Sequence, residues 1–250
     1  MTKKSRNWRL IISLALVGAS AATYLIHFLI FRDARHLFIY LIGDLAFMFI
    51  NVLVVTLVIE QLLAAREKRS LMKKLNMVIG TFFSDVGLEL LRHFGRVIEN
   101  TSALAPQLQF SGRWQKKDFQ KAAAAARTFG YKAKATPETL RDLRRILLCH
   151  RSFLLRLLEN PNLLEHDRFT DLLWAVFHLV EELEMRDESY EGLPETDYLH
   201  LAGDIKRAYS QIAAEWLAYT EHLKESYPFL YSLAARINPF NPEASAVVKS

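Results

Sequence analysis

The 250-residue chain has one cysteine, Cys149, nine glycines and seven prolines. A single cysteine excludes a disulfide framework and a thiolate metal cluster within one chain, and it suits a reducing compartment. Glycine and proline fall below their usual shares of about 7% and 5%, which argues against a turn-rich sandwich or barrel and for long helices. Several motifs are missing as well. There is no Gly-x-x-x-x-Gly-Lys, no Gly-x-Gly-x-x-Gly after a strand and no Gly-x-Ser-x-Gly, so neither a phosphate cradle nor a nucleophile elbow is written here. Nor is there a His-Glu-x-x-His zinc helix or the Glu-x-x-His pairs of a di-iron bundle. Cys149 and His150 are neighbours, but their side chains lie about 100° apart on a helix and form no nucleophile and base by adjacency. No catalytic residue and no cofactor is assigned on these grounds.

What is present is 51% hydrophobic and 24% charged residues, enough to bury a core and incompatible with disorder. From Leu10 to Phe31 there are 22 residues without Asp, Glu, Lys or Arg, and from Leu37 to Ile59 there are 23 with only Asp44. At about 1.5 Å per residue each reaches across a hydrocarbon core of roughly 30 Å. The rival reading of the first run is a cleaved secretory signal with an Ala19-Ser20-Ala21 site; apolar sequence resuming from Tyr24 to Phe31 counts against it. Lys3, Lys4, Arg6 and Arg9 precede the first span, and Arg66, Lys68, Arg69, Lys73 and Lys74 follow the second. The loop between carries only Arg32 and Arg35, offset by Asp33. Both termini are therefore expected to be cytoplasmic.

The net charge of +5 is thus mainly a topology signal, since residues 3–9 and 66–74 carry four net positive charges each. The predicted fold class is all-α, a two-helix transmembrane hairpin followed by a cytoplasmic multi-helix bundle. Its expected divisions are an N-terminal segment 1–9, a hairpin 10–62, a juxtamembrane amphipathic helix 63–100, a bundle 101–236 and a flexible tail 237–250.

Polar residues inside the spans are the first functional candidates. Tyr24 and His27 fall at depths similar to Asp44 and are expected to share a hydrogen-bonded cluster, and Asn51 lies opposite the small-residue stretch Gly18 to Ala22. They read either as interhelical glue or as part of an oligomeric ion channel or transport component. Farther on, Arg113, Lys116, Lys117, Lys121, Arg127, Lys132 and Lys134 stand among Trp114, Phe119, Phe129 and Tyr131. That mixture suits a solvated helix face or an anionic bilayer surface, with nucleic acid a weaker fit. Residues 100–112 read as a connector. Eight acids in 181–197 are expected to face the basic segment, within the bundle or between subunits.

In the last long helix Tyr198, Ala202, Ile205, Tyr209, Ile212, Trp216, Tyr219 and Leu223 alternate steps of four and three. This heptad seam reads either as the bundle's own core or as a coiled-coil surface for self-association or another protein. Beside it, His178 with Glu182 and His200 with Asp204 are i, i+4 pairs that suit surface ion pairing or, alternatively, a metal-dependent enzyme. The blocks Arg66-Glu-Lys-Arg, Leu75-Asn-Met-Val-Ile-Gly-Thr-Phe-Phe-Ser and His222-Leu-Lys-Glu-Ser-Tyr-Pro-Phe-Leu resemble bacterial inner-membrane proteins that join a two-span hairpin to a helical cytoplasmic region. That resemblance implies the fold and the location, but no activity or site. The expected partners are the lipid bilayer and a protein or second copy, with no small-molecule substrate; the expected role is membrane-anchored interaction, scaffolding or regulation.

Overall fold

The computed structural model describes residues 3–161, 163 and 166–248, leaving out the side chains of 3–7, 9 and 10. The charged side chains of Lys3, Lys4, Arg6 and Arg9, which enter the orientation argument, lie outside the described residues. The chain divides into two compact units, Met1–Lys68 and Arg69–Ser250. Every regular element among the described residues is helical, apart from one isolated bridge between Ile98 and Ala133.

The first unit contains α1 (Lys3–Phe31) and most of α2 (Ala34–Phe82). Neither stretch contains proline, so no backbone donor is lost along them. They are joined at Arg32, which takes a left-handed φ of 47°, and Asp33, whose Oδ1 accepts from the backbone N–H groups of Arg35 and His36. That carboxylate satisfies orphan donors at the start of α2. Among the described residues of this unit the apolar side chains on both helices are exposed, apart from a partly exposed Leu37.

The second unit is a helical bundle with the opposite habit. Leu75, Ile79 and Phe82 at the end of α2 are buried, and a π-helical turn, Phe83–Gly87, passes directly into α3 (Leu88–Val97). Next comes α4 (Thr101–Leu108), inside the stretch expected as a connector. Pro106 removes one amide donor from this short helix, while Leu104 and Leu108, one turn apart on the same face, are buried and hold it in place. Then α5 (Lys116–Thr128) begins with a capping box: Gln115 N–H donates to Asp118 Oδ2 at 2.7 Å. Its alanines are not merely helix formers, because Ala122, Ala123 and Ala126 face the core.

Thr136 caps α6 (Pro137–Leu158): its Oγ1 accepts from Thr139 N–H, with proline at the first helical position. The N-cap of α7 (Asp167–Glu184) is His166, whose Nδ1 accepts from Phe169 N–H at 3.1 Å. The central element is α8 (Glu195–Ser226), packed by α3, α5, α7 and α9 (Pro228–Arg236). Its environment explains why Leu201, Ala208, Ala213, Ala214 and Leu217 are buried as well as the seam residues. Pro228 opens α9 at its first helical position.

The expected flexible tail is corrected at its start. Asn238 and Phe240 are buried, Asn238 Nδ2 donates to Leu108 O at 3.2 Å, and Gln109 Nε2 donates to Phe240 O at 3.0 Å. Within one chain the acidic segment pairs elsewhere than with the basic segment. Among the described residues, Glu184, Glu188 and Glu191 pair with Arg151, Arg144 and Arg141 of α6, and Glu182 and Asp197 pair with Arg186. Charge content does not specify register, and α6 brings its arginines to that edge first.

Candidate functional site

Helix periodicity places His178 and Glu182 one turn apart on α7, and His200 and Asp204 one turn apart on α8. Packing of α7 on α8 then brings both pairs together. His178 Nε2 lies 3.7 Å from Glu182 Oε1 and 3.5 Å from Asp204 Oδ2. His200 Nε2 lies 3.5 Å from Glu182 Oε2 and 3.4 Å from the same Asp204 Oδ2. Asp204 is 2% exposed, and its Oδ2 has no hydrogen-bond partner among the described residues. Both histidines, by contrast, reach the surface.

Two arginines also hold these carboxylates, Arg207 at the Asp204 oxygen turned away from the histidines and Arg186 at the Glu182 oxygen that also faces His200. Arg207 Nη1 is 3.0 Å from Asp204 Oδ1, and Arg186 Nη1 donates to Glu182 Oε2 at 2.5 Å. Arg186 also makes a two-pronged pair with Asp197, Nε to Oδ2 at 2.8 Å and Nη2 to Oδ1 at 2.7 Å. The Arg186 hydrogen bonds hold the carboxyls of Glu182 and Asp197 below the usual carboxylate range, and the same bonds push the guanidinium up. Both acids are thus kept as carboxylates, the form that ligates cations. His178, Glu182 and His200 each offer an atom within 4.8 Å of the others. All four residues singled out in the sequence converge; Arg186, which organises one side, was overlooked there.

A second polar cluster carries no pairwise sequence signal. Glu215 of α8 is 3% exposed and lies by a cavity of about 640 Å³ lined also by Arg127, His166, Arg168 and Gln120. Since His166 Nδ1 accepts a backbone proton, its Nε2 faces Glu215 Oε1 at 3.9 Å, beyond hydrogen-bond reach. Burial pushes the Glu215 carboxyl up, against the opposing influence of His166, Arg127 and Arg168. One carboxylate inside the run Ile212 to Leu217 was the available hint, but Arg127 comes from a distant part of the chain.

Elsewhere the sequence candidates fare differently. Tyr24, His27 and Asp44 share no hydrogen bond among the described residues; His27 instead lies against Phe31 and His36, with ring centroids 4.8 and 6.2 Å away. Asp44 and Asn51 are exposed on α2. Of the basic series, Arg113, Lys116, Lys117, Lys121, Lys132 and Lys134 are exposed, while Arg127 is half-buried at the polar cavity. The seam is corrected as a partner surface: Ile205, Tyr209, Ile212, Trp216 and Leu223 are buried in the chain's own bundle. Tyr198 donates to Tyr190 O, and Tyr219 stacks on Phe83 at 5.6 Å. Close approach of Tyr219 to α2 depends on Gly80, where a Cβ would fall 2.5 Å from Tyr219 Oη.

Two family models match this architecture. Residues 71–236 match one described as "Uncharacterized protein MJ1433, C-terminal helical domain", and residues 3–63 match "MJ1433, N-terminal helical domain". The chain is 41% identical over 237 residues to protein MJ1433 of Methanocaldococcus jannaschii, covering 94% of each chain. That relative is archaeal, so it does not carry the expected bacterial inner-membrane setting. No solved structure matches the chain.

Proposed function

The chain belongs to the MJ1433 family, and from that premise we propose that it is a membrane-anchored protein whose second unit is a cytoplasmic helical module for protein interaction, scaffolding or regulation. The observation that carries the reading is the surface of the first unit. In the most apolar windows of its helices none of the described residues is buried, whereas most apolar residues of α7 and α8 pack into a core. Apolar area of that extent needs a cover, and bilayer hydrocarbon supplies it along helices of this length. Backbone donors and acceptors are satisfied within each helix, as a bilayer interior requires.

The flanking charge pattern favours the same side of the membrane for both termini. An alkaline carbonate wash of membranes from cells making the full chain tests the anchor. The protein is expected to stay in the pellet with integral proteins; release into the supernatant with peripheral proteins overturns the anchor reading.

A further inference from the structure

We propose that His178, Glu182, His200 and Asp204 form a binding site for one zinc-class divalent cation that ties α7 to α8. Four separations carry the proposal. Ligand atoms around a tetrahedral ion at about 2.1 Å stand about 3.4 Å from one another. Asp204 Oδ2 stands 3.5 and 3.4 Å from the nitrogens of His178 and His200, and Glu182 stands 3.7 Å from His178 through Oε1 and 3.5 Å from His200 through Oε2. Direct N–H···O hydrogen bonds close to about 2.7–3.2 Å, so these pairs stand at ligand spacing, with His178, Glu182 and His200 mutually within 4.8 Å and Asp204 Oδ2 facing both histidines.

Asp204 supplies the independent observation. A side chain 98% excluded from solvent leaves Oδ2 without a donor among the described residues, and that oxygen faces both histidine nitrogens. Buried carboxylate oxygens are ordinarily satisfied, and a cation between the two imidazoles satisfies this one. Arg207 takes Oδ1 of Asp204 and Arg186 takes Oε2 of Glu182, which leaves Asp204 Oδ2 and Glu182 Oε1 for the ion, with the arginines as the outer-shell partners that orient the ligating carboxylates. Arg186 is itself balanced by Asp197, so its charge does not fall wholly on the ion.

Two imidazoles with two carboxylates and no thiolate suit zinc or another first-row transition ion over magnesium or calcium, which prefer all-oxygen sets. The histidines are 43% and 50% exposed on their side chains, giving the ion an entry path from solvent. This inference is independent of the membrane reading, since all four ligands belong to the second unit.

The test uses full-length, tag-free protein in detergent, stripped with chelator, dialysed against zinc chloride and desalted before elemental analysis. Wild type is expected to retain about one zinc ion per chain. His200→Gln and His178→Gln are expected to weaken binding at least about 10- to 100-fold, while His222→Gln leaves it unchanged. Cobalt substitution should give the intense visible absorption of a tetrahedral ion in wild type and lose it in both ligand variants. Circular dichroism identifies variants that keep their helices, and the half-exposed His200 makes His200→Gln decisive where Asp204→Asn unfolds. Wild type without stoichiometric zinc, or a folded His200→Gln protein with wild-type zinc affinity, overturns the proposal.

Discussion

In the first unit Leu14, Ile30 and Phe49 are 71%, 67% and 67% exposed; in the second, Leu90, Phe94 and Phe169 are each 0% exposed. The two regions draw on the same apolar residue types, so composition alone cannot separate them. What separates them is period and partner. The second unit sets apolar residues three and four apart between charges, which gives each helix one face to bury. The first sets them all around the helix, which leaves no polar face for water. The aspartates repeat the contrast: Asp44 is exposed on an apolar helix, whereas Asp204 is enclosed by His178, His200 and Arg207.

The comparison breaks most sharply at a single aromatic ring. Phe169 packs edge-on against Phe82 with centroids 5.3 Å apart, and Phe169→Ala should cost about 3–5 kcal/mol through lost contacts and a cavity. Phe49→Ala should leave unfolding of the second unit unchanged. Denaturant titration of both variants in detergent checks this, and equal destabilisation would erase the distinction between the two regions.

Next in size is Arg186→Gln, which strands Glu182 and Asp197 and should cost about 2 kcal/mol near neutral pH. Both carboxyls are held below their ordinary values, so their contribution is present above the ordinary carboxylate pKa and is lost as pH falls through the depressed values. Thermal unfolding should therefore show the gap between wild type and Arg186→Gln closing in acid.

Glu215 tests the opposite sign. Its carboxyl is raised by burial, so the favourable contribution of its protonated form holds below the ordinary value of 4.5 and fades as pH rises through the raised one. Glu215→Gln should be more stable than wild type by about 1 kcal/mol at neutral pH and no more stable at pH about 4. A constant difference across that range would contradict the reading. The smallest expected effect is Thr136→Ala, about 1 kcal/mol or less from a lost helix cap, measured as a shift in unfolding midpoint.

Features with a local period were legible before the structure. The seam from Tyr198 to Leu223 marked the central helix, and the i, i+4 pairs named all four residues of the α7–α8 cluster. Whether a seam faces inward is a tertiary matter, and α8 proved to be enclosed because α3, α5, α7 and α9 all pack on it. The polar cavity was illegible for the same reason, since Arg127 and Glu215 share no sequence period. Two local readings failed on distant contacts: Pro106 lies within a helix anchored by buried Leu104 and Leu108, and Phe240 is held by Gln109.

Cys149 offers the most direct test of a membrane anchor with a cytoplasmic second unit, because it is the chain's one thiol and is exposed. Labelling by a membrane-impermeant maleimide can be compared in right-side-out and inverted membrane vesicles that have passed a carbonate wash. The anchored arrangement predicts modification of Cys149 in inverted vesicles and protection in right-side-out ones. Modification in sealed right-side-out vesicles, or disappearance of the protein from washed membranes, would contradict it.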